Sequence, residues 1–227
     1  DHPLESVLKN DKLAQVIISA YTDMPGVGSV VFDTASGARV LAEQLRAMHH
    51  RKVGLLLYTP LFDYDGQDHY FTYASYRRSA EVRDVLLEYG FDCNEKYHCY
   101  GCSSYHATFK ALEKKKLAGE LPTFFWCHND EVANWCILAL NKLGISVPQD
   151  ISVVGFDGIS ASKQDDELTT ISLPFYAIGR KAVLQLQEYY ENGINDTNRL
   201  AYLQTFLILK KTLSYAEESL LTNNRGE

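Results

Sequence analysis

Short apolar runs alternate with amphipathic stretches along this chain. Val16-Ile17-Ile18, Ser29 to Phe32, Thr123 to His128 and Ile151 to Phe156 are brief and rich in β-branched or aromatic residues, the composition of strands. Val53 to Tyr58 is nearly continuous in apolar residues, as in a strand buried on both faces. Between these runs the period lengthens. Leu41, Leu45 and Met48 fall at i, i+4 and i+7 within Gly37 to His49, and predict one face of a helix. Arg77 to Tyr89, Ser104 to Lys115, Asp130 to Leu143 and Ala177 to Asn192 repeat the pattern, and glycines 90, 144 and 193 follow three of them as stops. Tyr97 to Tyr100, Thr169 to Leu173 and Gln204 to Leu209 read as further strands, the second blocked by Pro174. The alternation predicts an α/β fold in which helices cover parallel sheets. The polar and aromatic stretch from Thr59 to Tyr76 reads as a long loop on a crossing or functional rim.

The 227 residues carry a net charge of −7. That average field repels nucleic acid, so any DNA contact needs a local basic patch. Lys114-Lys115-Lys116 is too short a run and reads as a solvated helix end. No apolar run approaches the ~18 residues of a membrane span, so no membrane partner is expected. The segment Asp1 to Glu5 lacks the basic flank and apolar core of a signal peptide. With five cysteines, an odd number, this predicts free thiols in a reducing, cytoplasmic compartment.

Motifs of catalysis are missing: no H-E-x-x-H, G-x-S-x-G, Walker loop or G-x-G-x-x-G occurs. Cys99-Tyr100-Gly101-Cys102 is a C-x-x-C between a predicted strand and a predicted helix. It admits a thiol oxidoreductase or, with Cys93, His98 and His106, a zinc site, set against incidental free cysteines. A second constellation is polar. Asp33 and Ser36, Asn129 and Asp130, and Asp157 each follow a predicted strand. Ligands of open α/β sheets bind beyond the carboxyl ends of the strands. These residues therefore read either as a binding site for a small polyhydroxylated ligand or as helix caps.

At these positions the sequence resembles the effector-binding domain of the lactose/galactose-repressor family of bacterial transcription regulators. The strongest stretch runs from Leu121 to Arg180. It contains Asn129-Asp130-Glu131-Val132-Ala133, then Leu143 to Asp157 (LGISVPQDISVVGFD), then Leu168-Thr169-Thr170-Ile171 and Gly179-Arg180. A weaker match covers Val30 to Leu56, and Arg78 falls where the family has an arginine. Thr34, His49 and Glu81 depart from the family pattern.

The resemblance implies a periplasmic-binding-protein-like fold: two parallel-sheet lobes joined by crossover strands, the first lobe incomplete. Residues 1–60 plus 174–203 would form the first lobe, 61–173 plus 204–213 the second, and 214–227 a frayed tail. It implies a sugar or similar metabolite between the lobes, held by Ser36 and Phe175 from the first lobe and by Arg78, Asn129 and Asp157 from the second lobe and the crossovers. Trp126 and Tyr100 are candidates for further aromatic wall. It also implies a homodimer without cofactor, metal or enzymatic activity. Operator DNA would be met only through a helix-turn-helix headpiece, which nothing in this sequence matches. The alternative with the same fold is the sugar-binding protein of an ABC transporter.

Overall fold

The computed structural model describes residues 13–22, 24–61, 70–159, 167–193, 195 and 197–216, with the side chains of 70–75 left aside. Its strands are β1 (Gln15–Ile18), β2 (Val27–Asp33), β3 (Val53–Leu56), β4 (Phe124–Cys127), β5 (Ser152–Asp157), β6 (Thr169–Ser172), β7 (Leu200–Gln204) and β8 (Phe206–Ile208). Its α-helices are α1 (Thr34–Ala47), α2 (Tyr70–Glu88), α3 (Tyr105–Ala118), α4 (Asp130–Lys142) and α5 (Phe175–Asn192).

The strands form two sheets. The smaller has the order β1-β2-β7 and the larger β3-β4-β5-β6-β8. All pairings are parallel except β6 with β8. The two parallel-sheet lobes expected from the sequence are thus present, with a short last strand returning in the opposite direction at one edge. In β4 side chains alternate between two cores. Phe124 and Trp126 join the cluster under α1 and α2, while Phe125 and Cys127 join the cluster under α3 and α4. The period of two gives each sheet face its own layer, which is why these strands read as continuous apolar runs.

The helix starts follow from local chemistry. The Asp33 carboxylate caps α1 by accepting from Ser36 N, Ser104 caps α3 through Ala107 N, and Asn129 caps α4 through Val132 N. Helix α2 extends seven residues further back than the periodicity predicts, because Tyr70 to Tyr76 supplies no apolar spacing of 3.6. Residues 62–69 of the expected loop lie outside the described residues. The Tyr97 to Tyr100 strand is reduced to a 3₁₀ turn at Glu95–Tyr97 and a single bridge from Leu56 to Cys99.

The chain crosses between the sheets at three places among the described residues, and two expectations change there. Strand β3 pairs with β4 in the larger sheet, and α1 packs on α2, β6 and β8. The first crossing thus falls at Asp33, where β2 ends, and not near residue 60. The sequence conceals this because β2 and β3 are equally apolar. The second crossing is at Pro174, after which α5 packs on β1 and β2. The third splits the predicted strand Gln204 to Leu209 at Thr205 into β7 and β8, one in each sheet.

Thr205 ties the first and third crossings together. Its hydroxyl donates to Asp33 O at 2.8 Å and accepts from Gly37 N at 3.0 Å, and its amide donates to Ser36 Oγ at 2.9 Å. A Cβ on Gly37 would lie 2.6 Å from both Ile171 and Thr205 side chains, so only glycine admits this approach. The expected frayed tail is also corrected at its start. Ser214 N donates to Ser152 Oγ, Ser214 O contacts His50 Nε2 at 2.9 Å, and Ala216 N donates to Met48 O. Residues 217–227 lie outside the described residues.

Thr205→Val keeps the shape of this 4 % exposed residue and removes its hydroxyl, orphaning the buried Gly37 N–H. It should lower the unfolding free energy by about 1–3 kcal/mol in urea denaturation. A loss under about 0.5 kcal/mol, the range of inert surface changes, would contradict the role given to Thr205.

Candidate ligand site at the strand ends

Asp157 is the last residue of β5, and the structure brings Arg78 to it from α2. Arg78 Nη1 lies 3.3 Å from Asp157 Oδ1 and donates to His128 O at 3.1 Å. The guanidinium carbon sits 4.3 Å from the centroid of Phe156 and 5.6 Å from that of Phe32, a cation–π arrangement. Arg78 Nε is buried with no hydrogen-bond partner. Among the described residues, the Nη2 protons and Asp157 Oδ2 have no protein partner. Helix α2 begins at Tyr70, so Arg78 is interior to the helix and not at its start.

Asp157 is held in a costly backbone conformation, φ +114°. A non-glycine residue there costs on the order of 1–3 kcal/mol and tends to mark functional positions. The neighbouring turn is locked in place. Asp130 Oδ2 accepts from Ile159 N at 2.8 Å and Oδ1 from Thr170 Oγ1 at 2.6 Å. Burial is the largest influence on Asp157 and pushes its carboxyl up to about 6. Arg78 pulls it down less strongly, and Asp130 adds to the rise. Burial likewise lowers the Arg78 pKa, against the attraction of Asp157, yet a guanidinium stays charged.

Asn129 joins the same wall. Its Oδ1 caps α4 and its Nδ2 donates to Tyr58 Oη at 2.9 Å. The cap reading holds through one atom of Asn129, and the other atom meets Tyr58. The Tyr58 ring packs on His128, centroids 4.6 Å apart, and His128 Nδ1 lies 3.3 Å from Ser79 Oγ. Burial holds His128 down at about 3, so its ring is neutral at physiological pH. A cavity of about 350 Å³ is lined by Asn129, Asp130, Glu131, Trp135, Asp157 and Ile159. A smaller one, lined by Tyr21, Phe32, Thr34 and Arg78 among others, reaches Arg78 from the β1 and β2 side.

The remaining candidates lie elsewhere. Ser36 is engaged at the crossing, its hydroxyl donating to Asp33 O at 2.8 Å and accepting from Thr205 N. Phe175 opens α5 and is 50 % exposed. Trp126 is fully buried among core residues, which removes it from any ligand wall. Tyr100 is partly buried and packs against the same cluster. Tyr58, Phe156 and His128 were missed. His128 directly follows β4 and Tyr58 lies two residues past β3, so the strand-end rule that selected Asp157 could have found them.

The C-x-x-C reading fails on burial. Cys99 and Cys102 are both core residues, and burial pushes the Cys102 thiol up to about 12 and Cys99 higher still. A redox pair needs an accessible thiol of lowered pKa. Among the described residues no group of three or more His, Cys, Asp or Glu side chains is placed to hold a metal ion. A wider cavity, about 750 Å³, lies away from Arg78 and Asp157. It sits on the outer face of α4, with Asn134, Leu138, Val147, Pro148, Glu167 and Lys211. No helix among the described residues is long and apolar enough to cross a membrane.

Two α/β sheets linked by crossings, with polar side chains gathered at their strand ends, define a ligand-binding domain of the periplasmic type. Comparison with known proteins agrees: the periplasmic binding protein-like domain matches residues 42–213, and the chain belongs to that family. It is 34% identical over 112 residues to the HTH-type transcriptional repressor CytR of Escherichia coli K12, covering 49% of this chain and 33% of that protein. It is 27% identical over 196 residues to the repressor PurR of Aliivibrio salmonicida, covering 82% and 53%. The chain thus spans about a third to a half of these curated relatives. The dimeric Lac repressor superposes with a TM-score of 0.72 at 24% identity, covering 89% of this chain and 69% of that one. A LacI family regulator from Arthrobacter sp. FB24 in complex with lactose gives 0.73 at 20%, covering 93% and 74%. The resemblance to effector-binding domains of that repressor family, read from the sequence, is borne out, and it is favoured over the transporter and oxidoreductase alternatives.

The raised Asp157 carboxyl makes a pH prediction. The unfolded residue titrates near ~3.9, below its folded value of about 6. Its contribution to stability is therefore complete below about 4 and is lost as pH rises through about 6. Asparagine imitates the neutral carboxyl without titrating. The melting temperature of Asp157→Asn relative to the parent should be more favourable at pH 7.5 than at pH 4.5. A difference that does not change with pH contradicts the assigned burial.

Proposed function

We propose that this chain is the effector-sensing region of a bacterial transcription repressor. It binds a sugar or similar small metabolite between its lobes, with Arg78, Asn129 and Asp157 as its polar contacts. The observation that carries the reading is the partly buried Arg78–Asp157 pair, which keeps donors and an acceptor free at the strand ends. A fork of N–H donors beside a carboxylate matches vicinal hydroxyls, each of which donates to one and accepts from the other. The lactose complex of the Arthrobacter regulator and the repressor names of the curated relatives support it. Ser36 and Phe175 act at the crossings, where a ligand that bridges the lobes biases their arrangement. Such a bias is a population shift, which a DNA-binding headpiece of the kind those relatives' names imply would convert into operator affinity. No cofactor, metal or catalytic step enters this account, and the site of action is the cytoplasm.

Calorimetry against mono- and disaccharides, polyols and purines tests the reading. A bound compound should lose about tenfold to a hundredfold in affinity with Asp157→Ala, the effect of one buried hydrogen-bonding partner removed. Binding unchanged by that substitution contradicts the site. The same proposal holds the protein to be a homodimer, by analogy with the dimeric Lac repressor, with the α4 face around Leu138, 55 % exposed, as the contact. Light scattering should return twice the 25.7 kDa chain mass, reverting to one chain mass with Leu138→Glu. A parent that is monomeric at micromolar concentration contradicts the dimer.

A further inference from the structure

Helix α5 lies on the smaller sheet with one face and turns the other to solvent. Its inner face is Ile178, Ala182, Gln185 and Tyr189, all buried, and it packs on β1 and β2. Its outer face carries Tyr176, Arg180, Val183, Gln187 and Tyr190, all exposed and separated by alternating steps of four and three residues. That spacing is the seam of a helix that pairs with another helix. A face left in water is ordinarily charged or polar. Here Tyr176, Val183 and Tyr190 are 86 %, 65 % and 90 % exposed, with exposed Leu184 beside them, and Arg180 is the single charge on the seam.

The charges at this face are sorted along the helix. Arg180 and Lys181 lie in its N-terminal half, Glu188 and Glu191 in its C-terminal half. Each carboxylate is engaged through one oxygen, Glu188 by Asn198 Nδ2 and Glu191 by Gln187 Nε2, so each keeps another. A helix divided in this way repels a parallel copy of itself, where like halves meet, and attracts an antiparallel one. One antiparallel register sets Arg180 level with Tyr190 of the second copy, and Val183 level with its Gln187. Arg180 then also neighbours the second copy's Glu191, and Lys181 its Glu188. The guanidinium meets a ring face and a carboxylate, and the two-fold axis repeats every contact.

We propose that the outer face of α5 is a self-association surface that docks antiparallel on α5 of a second copy of this chain. It is separate from the α4 contact and needs no effector. An 18-residue helix is about 27 Å long, and one such pair falls short of the ~1,200 Å² that stable interfaces bury. The association is therefore weak, with a dissociation constant on the order of 0.1 mM. At micromolar concentration the α4 dimer stands alone, and at high local concentration α5 joins such dimers to one another.

Sedimentation at about 5 μM and about 500 μM, either side of that constant, tests this on the parent and on Leu138→Glu. The mass should approach a doubling between the two concentrations in both proteins. Val183→Glu, a change at an exposed position that leaves the melting temperature at the parent value, should abolish the doubling. Arg180→Glu with Lys181→Glu should abolish it too, as should Gln187→Lys with Glu191→Lys. An equimolar mixture of these two double variants, in the Leu138→Glu background, should recover it. A mass constant up to about 500 μM overturns the proposal and leaves the face to a different protein. Doubling that survives Val183→Glu, or a mixture that does not recover, overturns it by placing the contact elsewhere. Because the readout is a ratio, a parent that is monomeric at low concentration removes the α4 dimer without deciding the α5 contact, which the doubling still decides.

Discussion

The structure is organised around a positive charge that is largely withdrawn from water. Arg78 lies on an interior turn of α2, against the rings of Phe156 and Phe32. Burying an ion is expensive unless it is paired and hydrogen-bonded. Asp157 and the His128 carbonyl meet that demand only on one nitrogen. To supply the carboxylate, the chain tolerates a left-handed backbone at Asp157, and the carboxylate itself is less acidic than in water. An ion pair that served stability alone gains little from such an arrangement, since apolar residues of similar volume often do as well. The unfilled valences of Arg78 and Asp157 give the strain a purpose.

The same pair connects the two sheets. Phe32 lies on β2 in the smaller sheet and Phe156 on β5 in the larger, their rings 6.0 Å apart, and Arg78 touches both. One residue beyond Phe32, Asp33 begins the crossing that Thr205 ties to its counterpart. A ligand that draws on Arg78 therefore acts within two residues of the point where the lobes join. Packed interfaces of this kind move between discrete arrangements more readily than they deform continuously, so a ligand bound there would bias how the two sheets sit together.

Much of this was legible in the residues. Period and punctuation located most strands and helices to within a few positions, because each buried element needs its own apolar set. The strand-end rule picked out Asn129 and Asp157, and the resemblance added Arg78. What could not be read was membership: β3 looks like β2 in composition, yet it belongs to the other sheet. Pairing partners are a tertiary property that a run of apolar residues does not encode. The split at Thr205 was hidden for the same reason, since Gln204 to Leu209 reads as one strand. Tyr58 escaped because its oxygen acquires meaning only when Asn129, 71 positions along the chain, comes to face it. Trp126 misled in the opposite direction, an aromatic near the site whose ring is wholly core.

The central claim is that a small molecule completes the open valences at Arg78 and Asp157. A crystal structure of the chain with whichever of D-ribose, lactose or adenosine stabilises it most tests this directly. The account predicts ligand atoms within hydrogen-bond distance of Arg78 Nη2 and Asp157 Oδ2, between the ends of β2 and β5. A ligand seated in the wide cavity on the outer face of α4, with Arg78 and Asp157 untouched, would contradict it.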